Sequence, residues 1–162
     1  MLDSSDLAAF LDQRQIEAEV VILPEHTPTV EDAARAVKTV PDRIVKSLLF
    51  LVDGEPVVAI ACGLSHVDRR TISLHYGVGR KRVKLADAET VLNVTGYPVG
   101  AMPPFGHRQA LPTLMDKRVL LQPEVYAGGG QIDALLRISP GAILRVTSAI
   151  ELDLIEPPKE LP

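Results

Sequence analysis

The sequence predicts a single mixed α/β domain, and three observations carry that prediction. Capped segments with helical apolar spacing alternate with β-branched runs along the chain. Two of those runs meet at Asp53-Gly54, a strong hairpin signal. The 162 residues, 46% of them hydrophobic and 23% charged, suffice for one core and show neither an internal repeat nor a linker.

The elements are taken in chain order. Ser4 and Ser5 precede Leu7, Ala8, Phe10 and Leu11, whose spacing predicts a helix running to about Gln15. Residues 19–23 form a short β-branched run that Pro24 breaks. Thr29 with Asp32 three residues on resembles a capping box and opens a second helix through Val37. Its apolar positions Val30, Ala33, Ala34 and Val37 fall on one face, and Pro41 ends the unit. Residues 44–52 and 56–61 are apolar and β-prone, interrupted only at Lys46 and Ser47, as expected of central strands covered on both faces. Residues 67–76 read as a helix closed by Gly77, 83–85 as a short strand, and Asp87 as the cap of a helix ending before Gly96. Residues 97–107 fit neither period and form a Gly/Pro loop. Strands are expected at 114–121, 123–126 and 135–138, with a flexible glycine turn at 127–130. Ser139 caps a last helix begun by Pro140. The domain is expected to occupy residues 1–155, with a polar, Pro-rich tail over 156–162 that frays.

Composition excludes several classes of function. The longest apolar run, residues 57–64, is eight residues, against the roughly 20 of a membrane span. The start of the chain carries Asp3 and Asp6 and lacks a signal-peptide pattern. The lone Cys62 permits no internal disulfide, which fits a cytoplasmic location. With 4% aromatics and no Trp, the chain is no stacking platform for single strands. Its net charge of −4 opposes broad capture of long nucleic acid but leaves room for contact with a nucleic-acid end. His26, His66, His75 and His107 have no metal-ligand spacing, so neither metal nor cofactor is expected. No GxSxG elbow is present, and Cys62 reads as a small core residue.

Three features could carry chemistry. Lys46 interrupts a strand whose other side chains want a core. Burying an unpartnered ammonium costs several kcal/mol, so Lys46 either points into a cleft or snorkels from an exposed strand end. The loop 96–107, rich in Gly and Pro, is either a rigid turn or a set of backbone N–H donors for an oxyanion or phosphate. Gly128, Gly129 and Gly130 could be a loose hairpin, since no P-loop sequence follows them. Besides these, Arg80-Lys81-Arg82 and Lys84, with Arg69 and Arg70 upstream, form either solvated surface or a contact for a phosphate backbone.

These segments together resemble the YbaK/EbsC family of aminoacyl-tRNA deacylases, which is similar to the editing domain inserted in bacterial prolyl-tRNA synthetases. The matching residues are His26, the run Thr-Val-Glu-Asp-Ala-Ala at 29–34, Ile-Val-Lys-Ser at 44–47, the loop 96–107, Asp116, the glycine turn and Ile-Ser-Pro at 138–140. They span residues 20–147, and the strand lysine paired with Gly100, Pro104 and Gly106 is the most specific part.

The resemblance implies a mixed, barrel-like sheet surrounded by helices. It also implies hydrolysis in trans of a mischarged tRNA, most often proline tRNA carrying a small wrong amino acid. A synthetase pocket rejects a near-isosteric amino acid by only about 10- to 200-fold per methylene, so a second, smaller site restores accuracy. By the same resemblance, Lys46 holds the terminal phosphate or ester region of the tRNA acceptor end. The backbone at Gly100 holds the ester carbonyl, and water or a substrate hydroxyl attacks, with no side-chain nucleophile. Thr29, Pro104, Gly106, His107, Gly128, Gly129, Gly130 and Asp133 complete the expected substrate site. Prolyl-tRNA synthetase is an expected partner, and no membrane is involved. The chain departs from the pattern twice. The serine of cysteine-specific deacylases is missing from residues 127–130, and Asp133 stands where other branches place a histidine. Two other functions fit the residues: an inactive module of this fold binding tRNA or a synthetase, and a small-molecule binder with a phosphate-cradling loop.

Overall fold

The computed structural model describes residues 1–157. Five helices and eight strands come in the order the sequence suggests, with corrections that each have a local cause. Helix α1 (Ser4–Gln13) is capped by Asp3 rather than by Ser4 or Ser5. The Asp3 carboxylate accepts the N–H groups of Ser5 and Asp6, while the Asp6 side chain accepts the Asp3 N–H. A carboxylate there also meets the positive end of the helix dipole, which a hydroxyl does not. Strand β1 (Ala18–Ile22) leads to α2 (Val30–Ala36), where Thr29 Oγ1 accepts the Asp32 N–H at 3.1 Å.

Strands β2 (Val45–Val52) and β3 (Glu55–Cys62) form the expected hairpin. Its two turn residues both have positive φ, 51° at Asp53 and 85° at Gly54, which is the backbone a two-residue turn between twisted strands requires. Helix α3 (Arg69–Tyr76) closes on left-handed Gly77, followed by β4 (Val83–Leu85) and α4 (Ala88–Thr95), capped by Asp87.

Strand β5 (Thr113–Asp116) is shorter than the run 114–121 suggests. Residues 117–121 wind into a 3-10 helix instead, because the Asp116 carboxylate accepts the Arg118 N–H and caps a turn there. Strands β6 (Val125–Gly128) and β7 (Ala134–Ile138) precede α5 (Pro140–Thr147), whose cap is Ser139. A final strand, β8 (Ile150–Leu152), is not among the expected elements: three residues with Ile150 exposed carry no period. Beyond it Ile155 bridges Val67, and the Glu156 N–H donates to the His66 carbonyl, so the first residue of the supposed tail is tied down. The rest of that tail, 158–162, lies outside the described residues.

The mixed sheet comes as two sheets. The larger has the order β4-β2-β3-β5-β8, with β2 antiparallel to both neighbours and β3, β5 and β8 mutually parallel. The smaller is antiparallel in the order β1-β7-β6. A parallel bridge from Ile44 to Tyr126 stitches them together. Strand β3 is buried on both faces, as its unbroken apolar run implies. Val58 and Ile60 point into a core shared with α1, α4 and α5, whereas Val57 and Ala59 point to a second core under Ile72 of α3. Ala33 and Ala34 of α2 close a third cluster with Leu23, Ile44 and Leu135.

Candidate functional site

The two sheets diverge on one side of their junction and leave a cleft of about 400 Å³, within the size range of small-ligand sites. Strand β2 forms its back wall, and the pairing pattern decides what that wall offers. The Leu49 carbonyl accepts from Ala86 and the Asp53 N–H donates to Arg82, both on the β4 side, while the Ile44 carbonyl accepts from Gly63 on the β3 side. Odd-numbered residues of β2 therefore turn their peptide groups away from β3. Strand β4 pairs only with residues 50–52, so Ser47 falls in the gap between that pairing and the Ile44–Tyr126 bridge. Its backbone N–H and C=O face the cleft, and its buried hydroxyl has no partner among the described residues.

Lys46 lies in the same wall, half-buried. Its Nζ donates to the Gly63 carbonyl at 3.1 Å and to the Ser65 carbonyl, both in the turn after β3. Three donors on an ammonium leave one more for a ligand. Burial lowers the pKa of Lys46 from its ordinary 10.5. The lysine is therefore at a cleft and partly satisfied at once.

Gly100 stands opposite. Its φ is +85° and a Cβ there would meet nothing within 4 Å, so the glycine opens directly onto free space. Among the described residues no group accepts its N–H. Thr29 and the preceding His26, Thr27 and Pro28 form the entrance on the α2 side, and exposed Leu85, Val99 and Ile132 rim the mouth with apolar surface.

The other expected site residues are elsewhere. His107 is not in the cleft: its Nε2 lies 2.8 Å from the Pro103 carbonyl and its ring meets buried Tyr97 edge-on. Burial lowers its pKa, the Pro103 carbonyl acting in the opposite sense, so near neutrality the uncharged ring donates this hydrogen bond. Pro104 is buried in the same loop, and Gly106 faces Phe10 and Leu7 of α1. These three brace the loop that presents Gly100.

The triple glycine is neither loose nor a cradle. A Cβ on Gly128 would lie 2.3 Å from the Met102 carbonyl oxygen, and one on Gly129 would lie 2.4 Å from the carbonyl carbon of Ala134. Gly130 faces Asp3, and its N–H donates to the Ala101 carbonyl at 2.9 Å. The glycines let two loops touch backbone to backbone, and only Gly128 reaches the cleft wall. Asp133 is likewise outside the cleft, accepting from Gln131 Nε2 at 2.7 Å. Gln131 is the polar turn residue that lines the cleft, beside Ile132, its Oε1 accepting from the Ser4 hydroxyl at 2.6 Å.

Sequence reasoning thus missed Ser47, Gln131 and the 26–28 entrance as site residues. Ser47 had a signal, since it shares with Lys46 the sole polar interruption of β2. Gln131 had none.

Cys62 is no nucleophile. It is buried in the main core and its thiol is pushed up to about 11, by burial first and then by Asp116 and Asp42. Among the described residues no cluster of His, Cys, Asp or Glu could hold a metal ion, and no helix is long and apolar enough to cross a membrane.

With the cleft so defined, comparison with known proteins is decisive: the profile of the aminoacyl-tRNA editing domain matches residues 24–146. The chain belongs to that family. The match takes in every wall of the cleft. The editing domain superposes on a crystal structure described as a proposed trans-editing enzyme for prolyl tRNA synthetase, with TM-score 0.89, 33% identity, and coverage of 95% of this chain and 97% of the other. It is 30% identical over 159 residues to a proline–tRNA ligase of Maridesulfovibrio salexigens, covering 95% of this chain and 27% of the ligase. A proline–tRNA ligase of Moorella thermoacetica is 27% identical over 129 residues, 79% of this chain and 22% of the ligase. The editing domain therefore spans about a quarter of the length of these curated relatives.

Proposed function

We propose that the protein is a deacylase that hydrolyses, in trans, the ester of a small non-cognate amino acid on proline tRNA. The observation that carries the proposal is one small cleft that brings together the Gly100 N–H, without an acceptor among the described residues, the backbone edge of Ser47 and the Lys46 cation. An aminoacylated 3′ end brings an ester carbonyl and a terminal phosphodiester, and the cleft offers a match for each. Water attacks the ester carbon, and negative charge builds on the carbonyl oxygen. The Gly100 N–H, on a loop braced by Pro104, Gly106 and His107, stabilises that charge. The carbon–oxygen bond to the ribose then breaks; one proton of the attacking water passes to the departing ribose oxygen and the other to solvent as the free carboxylate forms. Lys46 holds the phosphate side, using the donor its two carbonyls leave free. The Ser47 carbonyl is an acceptor for the substrate's α-ammonium. None of these steps requires a side-chain nucleophile, in keeping with the state of Cys62. Cytoplasmic action beside prolyl-tRNA synthetase follows from the reaction.

Proline tRNA charged with alanine, serine or cysteine, together with correctly charged Pro-tRNA, forms the decisive substrate panel. Turnover of one mischarged form and sparing of the correct one is the expected result. Turnover of none by the folded protein would overturn the proposal in favour of a binding module.

Gly100→Ala gives a sharper reading. A methyl there enters the space reserved for the ester and strains the positive φ, at a stability cost of about 1 kcal/mol. Hydrolysis should fall by about tenfold or more, measured as kcat/KM beside the thermal midpoint. Unchanged kcat/KM would remove Gly100 from the site.

A further inference from the structure

The basic segment around Arg80 takes no part in the chemistry of the cleft. Arg80, Lys81 and Lys84 are exposed beside Arg69 of α3, around a shallow depression over Val67 and Val83, with Glu156 the one carboxylate lining it among the described residues. None of the four cations is ion-paired among the described residues, whereas neighbouring Arg82 is taken by Asp53 at 2.6 Å. Four unpaired positive charges gathered in a chain of net charge −4 make a local field opposite in sign to the whole molecule's. Strand β4 joins this patch to the cleft: Lys84 and Leu85 are consecutive, and Leu85 with Ala86 lines the cleft wall.

We propose that Arg69, Arg80, Lys81 and Lys84 form a docking site for the ribose–phosphate backbone of an RNA whose 3′ end enters the cleft. The proposal rests on the editing reading above and adds where the rest of the substrate lies. Successive phosphodiesters suit this group, since arginine forks and lysine point charges both bind them. Such contacts set register on the strand without reading its sequence. A chain that as a whole repels RNA thereby gains attraction at the one place where docking feeds the cleft.

The test compares wild type with the triple variant R80E/K81E/K84E, whose exposed positions leave the core untouched. The probe is an uncharged acceptor-stem hairpin with a single-stranded 3′ end, followed by fluorescence anisotropy between about 50 and about 200 mM salt. The variant should bind at least about tenfold more weakly at the low-salt end, with the slope of log K against log salt flatter by roughly two, as loss of three phosphate contacts requires. Hydrolysis of an aminoacyl ester of adenosine alone should be equal in the two proteins. Equal hairpin affinity and equal salt slope would overturn the docking site, whatever the deacylation panel gives. Hairpin binding lost in the variant while wild type hydrolyses no ester would uphold the docking site and defeat the deacylase reading instead.

Discussion

Lys46→Ala should reduce aminoacyl-ester hydrolysis by about a hundredfold or more, the scale seen when a preorganised charge or donor leaves a reaction site. Its stability effect should be small by comparison. The ammonium's two bonds to the Gly63 and Ser65 carbonyls contribute about 1 kcal/mol each at most. Lys46→Met keeps the alkyl stem and removes only the charge, so it should lose as much activity while unfolding closer to wild type.

The pH dependence gives an independent check. Burial disfavours the ammonium, so the folded chain releases its proton below the ordinary value of 10.5. Activity that needs the cation should therefore decline with rising pH before 10.5 is reached. In that window the unfolded chain still holds the proton, so this group's contribution to stability rises with pH. Activity and stability thus move in opposite directions, which separates loss of the cation from unfolding. An alkaline limb identical in wild type and Lys46→Met would remove Lys46 from the reaction.

Asp116→Ala should have the largest effect on stability, about 3 kcal/mol or more. Asp116 is fully buried and its carboxylate joins three parts of the chain. It accepts the Leu154 N–H at 2.9 Å, the Arg118 N–H at 3.2 Å and Arg118 Nη1 at 3.1 Å, while the same guanidinium reaches Asp153 at 2.7 Å. Truncation leaves the Leu154 N–H without an acceptor in the interior and releases β8 from β5. Differential scanning calorimetry should show a midpoint lower by about 6 to 12 °C, taking about 2 to 4 °C per kcal/mol for a chain of this size. Asp116→Asn keeps one acceptor oxygen and should recover part of the loss. A midpoint unmoved by Asp116→Ala would mean that the 153–155 segment is held by its apolar contacts alone.

What could be read from the sequence was whatever depends on near neighbours. The Asp53-Gly54 hairpin and the Thr29, Asp87 and Ser139 caps each rest on a residue's own backbone preference or a bond within three residues. Lys46 and Ser47 were visible because polarity inside an apolar strand must be accommodated somewhere. Where tertiary contact decides, the sequence was silent. Gly128 and Gly129 have the same composition whether they flex or seal, and only the approach of Met102 and Ala134 tells the two apart. Asp133 and Gln131 are both polar turn residues, and only the turn's geometry makes Gln131 part of the cleft lining while Asp133 stays outside it. Strand β8 exists because β5 offers it an edge and Asp116 anchors the Leu154 backbone just beyond it.

For the proposed reaction, the seam that Gly128 and Gly130 make with the 96–107 loop bears on how substrates would be told apart. A wall made of main chain has no rotamers, so it neither swings aside for a bulkier acyl group nor loses side-chain entropy when a small one enters. In the proposed reaction, discrimination there would be by overlap, its strictness set by how far two loops can be pushed apart against their own peptide bonds. The adjustable boundary is then the opposite one, where Thr29, Val30 and Ala33 of the α2 entrance carry side chains that substitution can lengthen or shorten. A change in the amino acid accepted would be written into that helix, with the glycine seam held constant as its gauge.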